Sequence, residues 1–226
     1  MAGVVRGYTG FGTPLLMAPF YVAVFGPAAM VPILAIMEVG VIAVTLRSAW
    51  RAADRAETGR VFLGCLAFVP IGLWLIAIVD PIVIKRLIGL VVAGFAVIGL
   101  TGWRYRGPRG PVFDGVVGAI SGTLGGLSGV AGPPVIVYWL GGADPMARVR
   151  ANLSLYFTGL TALLLVLTAL NGMLTSQVLR DAAILTPCVL AGTVVGAWLF
   201  DPAHERGARR IALCVVLLAG LYGLFG

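Results

Sequence analysis

The chain has 226 residues, of which 60% are hydrophobic and only 11% are charged. A soluble domain usually carries about 25% charged residues, so this composition excludes a soluble fold and indicates an all-α polytopic membrane protein. The 16 basic residues outnumber the 9 acidic ones, but most lie in short connections between apolar runs. Such placement is typical of membrane topology and gives no reason to expect nucleic acid as a partner.

Cofactors and catalysis are not expected either. The chain has one histidine and three scattered cysteines, which do not assemble a metal site or a catalytic triad. No glycine-rich loop with the lysine of an ATP site is present. The composition therefore predicts neither an enzyme nor a resident cofactor.

The first element in chain order is interrupted by glycine and proline. It covers residues 3–25 and contains RGYTGFGTP at 6–14. The start of the chain lacks a basic region followed by an apolar core, so no signal peptide is predicted. A second interrupted element covers residues 113–140 and contains GGLSGVAGPP at 125–134. Both interruptions use the residues least able to continue a helix.

Six uninterrupted apolar runs are predicted to be helices, three after each interrupted element. They cover residues 27–46, 61–79, 87–103, 151–169, 179–200 and 211–225. The halves also share landmarks about 120 residues apart, which indicates an internal repeat: Gly12-Thr13-Pro14 matches Gly132-Pro133-Pro134, and Asp80-Pro81 matches Asp201-Pro202. We expect two repeats, 1–110 and 111–226, in one membrane domain.

The basic residues predict the orientation of these repeats. If the interrupted elements turn back inside the membrane, the loops 47–60, 103–112, 141–150 and 201–210 share one side and hold twelve of the 16 basic residues. If both elements cross, the basic residues divide nine against seven. The positive-inside rule favours the first arrangement. It gives six crossings, two re-entrant elements, inverted repeats and both termini outside the cytoplasm.

Paired helix breaks in a membrane predict a binding site, because backbone that leaves helical geometry needs polar partners there. Helix N-termini at such breaks carry free N–H groups and partial positive charge, which suits a small anion. The residues Pro14 and Pro134 mark the helix starts after the breaks. The predicted substrate-binding residues are Arg6, Thr9, Gly10, Gly12, Thr13, Ser128, Gly129, Gly132, Pro133 and Asn152.

Some of these residues have alternative interpretations. Arg6 and Glu38 are interpreted as the charges that lie well inside apolar stretches, so Glu38 is a candidate proton carrier or charge partner of Arg6. Arg6 is also close enough to the terminus to reach water. Asn152 suits helix capping or interhelical hydrogen bonding as well as substrate binding.

Two further patterns point to packing and to the membrane interface. Gly118, Gly122 and Gly126 form small-residue steps that favour tight helix packing over a binding role. The aromatic residues predicted to lie in interfacial belts are Trp50, Trp103, Tyr138 and Trp139.

The chain resembles the sulfite exporter TauE/SafE family of bacterial inner-membrane permeases. The resemblance rests on RGYTGFGTPLLMAPF at 6–20, on SGTLGGLSGVAGPPVIVYWL at 121–140 and on RANLSLYF at 150–157, and it extends over the whole chain. It implies a multi-pass protein of the inner membrane that transports sulfite or organosulfonates. In the first motif Gly-Thr-Pro stands where a further glycine is common in the family.

Three functional hypotheses remain at this point. A secondary transporter would hold the anion between the two breaks and move it by alternating access, with the proton gradient as one candidate driving force. An anion-selective channel could use the same helix ends. A membrane subunit without transport activity would use its small-residue faces to bind a partner. The sequence does not distinguish import from export and does not give the oligomeric state.

Overall fold

The structure is a computed structural model that describes residues 13–198 and 205–225. These residues form helices joined by short connections, and no strand occurs among them. In chain order the helices are α1 (Thr13–Ala52), α2 (Arg55–Ile78), α3 (Pro81–Thr101), α4 (Pro111–Ser128), α5 (Gly132–Leu140), α6 (Met146–Leu170), α7 (Ser176–Trp198) and α8 (Glu205–Phe225). The all-α fold is therefore confirmed for the described part of the chain.

Helix α1 contains a kink at Gly26, whose backbone angles are φ 76° and ψ 166°. Only glycine adopts this conformation at low cost, and Pro27 directly after it suits the start of a new helical segment. The predicted change of element before residue 27 is thus confirmed. The break expected near Gly12 lies outside the described residues.

Several helices begin earlier than the apolar runs predict, because polar side chains cap them. Helix α2 begins at Arg55 rather than at residue 61, since the Asp54 carboxylate accepts hydrogen bonds from two amides of the first turn, both at 3.0 Å. Asp80 caps α3 in the same way, 2.7 Å from the Ile82 amide. A capped first turn is polar and falls outside a hydropathy window although it is helical.

Five described helical stretches are long and apolar enough to cross a membrane. They are Pro14–Gly40, Arg55–Ile78, Pro81–Thr101, Met146–Leu170 and Ser176–Gly196. The last apolar stretch, Leu213–Phe225, is shorter. Helix α5 has 9 residues, about 14 Å at 1.5 Å per residue, and is too short to cross alone. The bundle is therefore consistent with a polytopic membrane protein.

Helix α1 lies at the centre of this bundle. Its residues Met30, Val31 and Ile33 have no solvent exposure, and it packs against α6, α7, α8 and α3. The outer helices instead expose large apolar side chains, including Trp74 of α2 and Leu90 of α3. A lipid-facing surface is expected to show this reversal of the pattern of soluble proteins.

Helices α2 and α4 cross closely through glycines. A Cβ atom at Gly118 would meet the carbonyl oxygen of Val61, and one at Gly122 or Gly126 would meet the carbonyl oxygen of Cys65 or Val69. The contacts advance by four residues on both helices, so α2 and α4 run parallel. The packing role predicted for these three glycines is confirmed.

Helices α3 and α8 form a second glycine crossing. A Cβ atom at Gly89 would lie 2.6 Å from the Gly220 carbonyl oxygen, and one at Gly99 would lie 2.8 Å from a Leu213 methyl carbon. As the position on α3 increases, the position on α8 decreases. These two helices therefore run antiparallel.

Candidate functional site: a broken helical hairpin

The second interrupted element folds back on itself as a hairpin of α4 and α5. The Ser121 hydroxyl donates a hydrogen bond to the Ala131 carbonyl oxygen. The Tyr138 hydroxyl donates to the Asp114 carboxylate at 2.6 Å. Both pairs of partners are seven residues apart along their helices, from 114 to 121 and from 131 to 138, so the two helices run antiparallel. The element thus begins and ends on the same face of the molecule.

The tip of this hairpin is the break itself. Gly129 ends α4 with φ 65°, a left-handed conformation, and its amide donates to the Gly125 carbonyl at 2.8 Å. The Ser128 hydroxyl donates to the Leu124 carbonyl at 2.6 Å and accepts from the Val130 amide at 3.2 Å. In this conformation the only proton of the Ser128 hydroxyl is used by a backbone carbonyl group at the break, where buried polar backbone needs a hydrogen-bond partner.

Helix α1 packs directly against the break. A Cβ atom at Gly129 would lie 2.9 Å from Leu34 Cδ1, and one at Gly132 would lie 3.9 Å from Leu15 Cδ1. Leu15 follows Pro14, which marks the start of the helix in the first interrupted element. The structure therefore brings the beginning of α1 next to the beginning of α5.

The start of α5 differs from an ordinary anion-binding helix terminus. Its second and third residues are Pro133 and Pro134, which have no N–H group. Of the four amides that a helix leaves free at its start, only those of Ala131 and Gly132 have a proton to offer. Gly132 and Pro133 are buried, and Pro134 is partly buried.

The remaining predicted residues are only partly placed. Arg6, Thr9, Gly10 and Gly12 lie outside the described residues. Thr13 and Pro14 start α1, and Glu38 lies partly buried in the same helix beyond the kink. Glu38 has an interaction within the protein.

Asn152 does not lie at the break. It is fully buried near the start of α6, where its Oδ1 accepts the Asp54 amide at 2.8 Å and its Nδ2 donates to Glu57 at 3.4 Å. The interhelical hydrogen bonding named as the alternative for Asn152 is therefore present. Binding of substrate by this residue stays a prediction.

An ion pair between the buried Asp114 and the partly exposed Arg60 joins the open end of the hairpin to α2. Asp114 is 1% exposed and accepts hydrogen bonds from Arg60 Nε at 2.6 Å and from the Tyr138 hydroxyl. Arg109 donates to the Tyr138 carbonyl oxygen and stacks over the Tyr138 ring, 4.8 Å from its centre. We call Arg60, Arg109, Asp114 and Tyr138 the hairpin clasp.

The clasp adds residues that the sequence analysis did not place at a site. Asp114 is a buried charge that the sequence analysis did not single out beside Glu38. Tyr138 and Trp139 are 2% and 1% exposed, so they pack inside the bundle and do not face lipid, and their interfacial depth stays a prediction. An acidic residue four positions into an apolar helix was the available signal, since charges in membrane segments usually have a partner.

Next to the clasp, three N–H donors surround the Glu57 carboxylate. Asn152 Nδ2 lies 3.4 Å from one oxygen, and Arg109 Nη1 lies 4.0 Å from the other. The Trp139 indole also lies near this carboxylate, but its N–H is buried and has no acceptor in hydrogen-bonding geometry. We call Asn152, Arg109 and Trp139 the donor cradle.

The clasp and the cradle lie where three of the basic loops meet. A Cβ atom at Gly141 would meet the Tyr105 carbonyl oxygen, and one at Gly142 would lie 2.6 Å from Arg109. Asn152 connects the same region to Asp54. Parts of the loops 47–60, 103–112 and 141–150 therefore share one face, which we call the basic face.

The lipid-facing apolar surface, the candidate spans and the internal hairpin together define a multi-pass helical membrane protein. The family model for the sulfite exporter TauE/SafE family matches residues 1–223. The chain belongs to this family, whose members are membrane exporters and not enzymes.

One curated relative is described as a probable sulfite/organosulfonate exporter TauE from Cupriavidus necator H16. It is 31% identical over 105 residues, which cover 46% of this chain and 41% of the relative. The matched part thus spans less than half of that protein. No solved structure matches the chain.

Proposed function

We propose that the chain is a secondary transporter of small anions, with sulfite or organosulfonates as substrate, which it moves by alternating access. The observation that carries this proposal is the hairpin break at 129–132, where Gly129 packs against Leu34 of α1 and Gly132 lies near Leu15 at the start of α1. Broken helices from two halves that approach each other are the usual setting of a transporter site. Family membership and the description of the relative support the sulfur-containing substrate.

The anion is proposed to bind between the two glycine breaks. Ala131 and Gly132 supply amide protons and the positive end of the α5 dipole. Arg6, Thr9 and Thr13 add a cation and hydroxyl groups from the first interrupted element. Ser128 joins them when the break changes conformation and releases its proton from Leu124. A guanidinium can bind two oxygens of a sulfonate at once.

Inverted repeats of 1–110 and 111–226 are proposed as the basis of alternating access. In such repeats corresponding helices run in opposite directions. Helices α3 and α8 follow the matched landmarks Asp80-Pro81 and Asp201-Pro202, and the antiparallel glycine crossing between them supports this symmetry. The basic face is proposed to be cytoplasmic, with both termini on the periplasmic side of a bacterial inner membrane.

Glu38 is proposed to couple transport to protons. It lies partly buried in the central helix α1, beyond the kink at Gly26. A carboxylate at such depth is costly unless it has a partner or a role in transport.

Substrate-evoked current in proteoliposomes tests the proposed function. Sulfite, sulfate, sulfoacetate, taurine and acetate are supplied with and without a pH gradient. We expect a saturable response to one or two sulfur anions. Arg6→Ala should reduce it by about tenfold or more, because a charge-assisted hydrogen bond contributes about 1.5–3 kcal/mol. Arg180→Ala, which removes an exposed arginine of α7, is the matched control.

Three results would contradict the proposal. Flux that never saturates and cannot be driven uphill would indicate a channel. Silence across the panel from folded, inserted protein would favour another substrate class or a partner-binding subunit. An equal loss in both arginine variants would remove Arg6 from the site.

A further inference from the structure

The Glu57 carboxylate is held much more loosely than its neighbour Asp114. Asp114 accepts two hydrogen bonds of 2.6 Å, whereas the donors around Glu57 are at 3.4 Å and 4.0 Å. Charge-assisted N–H to carboxylate bonds usually measure about 2.7–2.9 Å. Three donors therefore converge on a carboxylate that satisfies none of them well.

The Trp139 indole is the second observation that points to a ligand here. Its ring is 1% exposed, and its N–H lies near the Glu57 carboxylate without reaching hydrogen-bonding geometry. Buried N–H groups without a partner are rare in native proteins and call for an explanation. An acceptor larger than a carboxylate, placed between Trp139, Asn152 and Arg109, would provide one.

We propose that the donor cradle is a loading site for the anion on the basic face, and that Glu57 occupies it when the anion is absent. The proposal rests on the proposed function and names a second site for the same substrate. A sulfonate or sulfite has three oxygens that point in different directions. It can meet an amide, an indole and a guanidinium together, whereas a planar carboxylate has only two oxygens.

Accessibility agrees with a loading role. The Arg109 side chain is 32% exposed, and that of Glu57 is 14% exposed, so these two side chains form the solvent-facing side of the cradle, while Asn152 and Trp139 form its buried side. Because Glu57 carries the same charge as the anion, its side chain must rotate away when the anion binds. Glu57 lies in the first turn of α2, from which its side chain can turn toward solvent. The incoming anion thus replaces an internal anion.

A continuous set of contacts leads from the cradle to the break. The Trp139 and Tyr156 rings lie edge to face with centres 5.9 Å apart. The Tyr156 hydroxyl donates to Ser121 at 2.7 Å, and Ser121 donates to the Ala131 carbonyl. An anion in the cradle therefore lies one aromatic layer away from the proposed central site.

Equilibrium binding to the detergent-purified chain tests the loading site without relying on transport. Methanesulfonate and sulfite are the probes, chloride is the comparison anion, and affinity is measured by calorimetry. Glu57→Gln keeps the size of the side chain and removes the competing charge, so we expect about fivefold tighter binding or more. Trp139→Phe removes the indole donor, and Arg109→Gln removes the positive charge and the guanidinium; we expect each to weaken binding by at least about fivefold.

Asp144→Asn is the matched control, because Asp144 is also a carboxylate of the basic face. Its Oδ1 lies 3.1 Å from Arg148 Nη1 at the start of α6. It removes the same charge outside the cradle, and screening should keep its effect below about twofold. A structural role for Glu57 would not make Glu57→Gln bind more tightly while Trp139→Phe binds more weakly.

Several outcomes overturn the loading site. They are unchanged or weaker binding by Glu57→Gln, an equal gain in Asp144→Asn, chloride binding as tight as methanesulfonate binding, or no binding of either probe by any variant. Tighter methanesulfonate binding by Glu57→Gln together with no sulfur-anion flux in the wild type would support the loading site and reject the substrate proposed above. The two failures are thus distinguishable.

Discussion

At the scale of single residues, Asp114 is the side chain on which the open end of the hairpin depends. Its carboxylate has 1% exposure and joins α4 to α2 through Arg60 and to α5 through Tyr138. A buried charge is tolerated only when its partners are in place, so loss of either partner leaves a polar group without compensation. The clasp therefore closes the hairpin on the basic face.

Asp114→Ala is expected to lower the free energy of unfolding by about 2 kcal/mol from the unpaired Tyr138 hydroxyl alone. Tyr138→Phe removes the donor and not the carboxylate, and should cost about 1 kcal/mol. The measurement is denaturant unfolding of the purified protein in detergent. Asp144→Ala breaks an exposed ion pair with Arg148, four residues away, and is the control, with an expected loss of about 0.5 kcal/mol or less. Equal losses from the two aspartates would contradict a special role for the clasp.

The sequence predicts some of these residues and misses others for a physical reason. Gly129 was predicted because a cluster of glycines followed by two prolines in an apolar stretch is a local signal, and its left-handed backbone agrees with that signal. Asp114, Tyr138 and Trp139 depend on partners that are distant in sequence. Tyr138 lies 24 residues from Asp114, and Arg60 lies 54 residues from it. No periodicity of the chain encodes such a pairing.

At the scale of helices, the fold depends on how closely α2 and α4 approach. The glycine steps predicted from sequence place Gly118 against the Val61 carbonyl. The direction in which α5 returns was predicted only indirectly, from the distribution of arginines over the loops. It becomes visible in the hydrogen bonds of Ser121 and Tyr138. The glycine pattern thus predicts where helices pack closely, whereas the direction of the chain is defined only by contacts between residues that are distant in sequence.

Gly118→Ala and Gly115→Ala form a matched pair that tests this crossing. Gly118 has no room for a Cβ atom, whereas nothing lies within 4 Å of one at Gly115, three residues earlier in the same helix. We expect Gly118→Ala to destabilise the protein by about 1–3 kcal/mol, because overpacking forces the backbones apart. Gly115→Ala should be neutral or stabilise by up to about 1 kcal/mol. Thermal unfolding in detergent measures both, and similar shifts would refute the close crossing.

At the scale of the whole molecule, the hairpin determines the parity of the membrane crossings. If α4 and α5 together crossed the membrane, the loops 103–112 and 141–150 would lie on opposite sides. The structure instead places Gly141 against Tyr105 and Gly142 against Arg109. Two loops in direct contact cannot be separated by a bilayer about 30 Å thick. Both loops should therefore react with reagents from one side only.

Single cysteines at Pro108 and Ala143, in a background without Cys65, Cys188 and Cys214, test this topology. Both positions are exposed. A membrane-impermeant maleimide should label both from the cytoplasmic side, because the positive-inside rule assigns the arginine-rich loops to that side. A cysteine at Thr175, in the exposed connection after α6, should be labelled only from the opposite side, since α6 is one crossing long.

Labelling of Pro108→Cys and Ala143→Cys from different sides would mean that the hairpin crosses, and the inverted repeat would then be lost with it. Labelling of both from the periplasmic side would keep the hairpin and reverse the orientation, so that the loading site would face outward and the transporter would take up its anion from outside the cell.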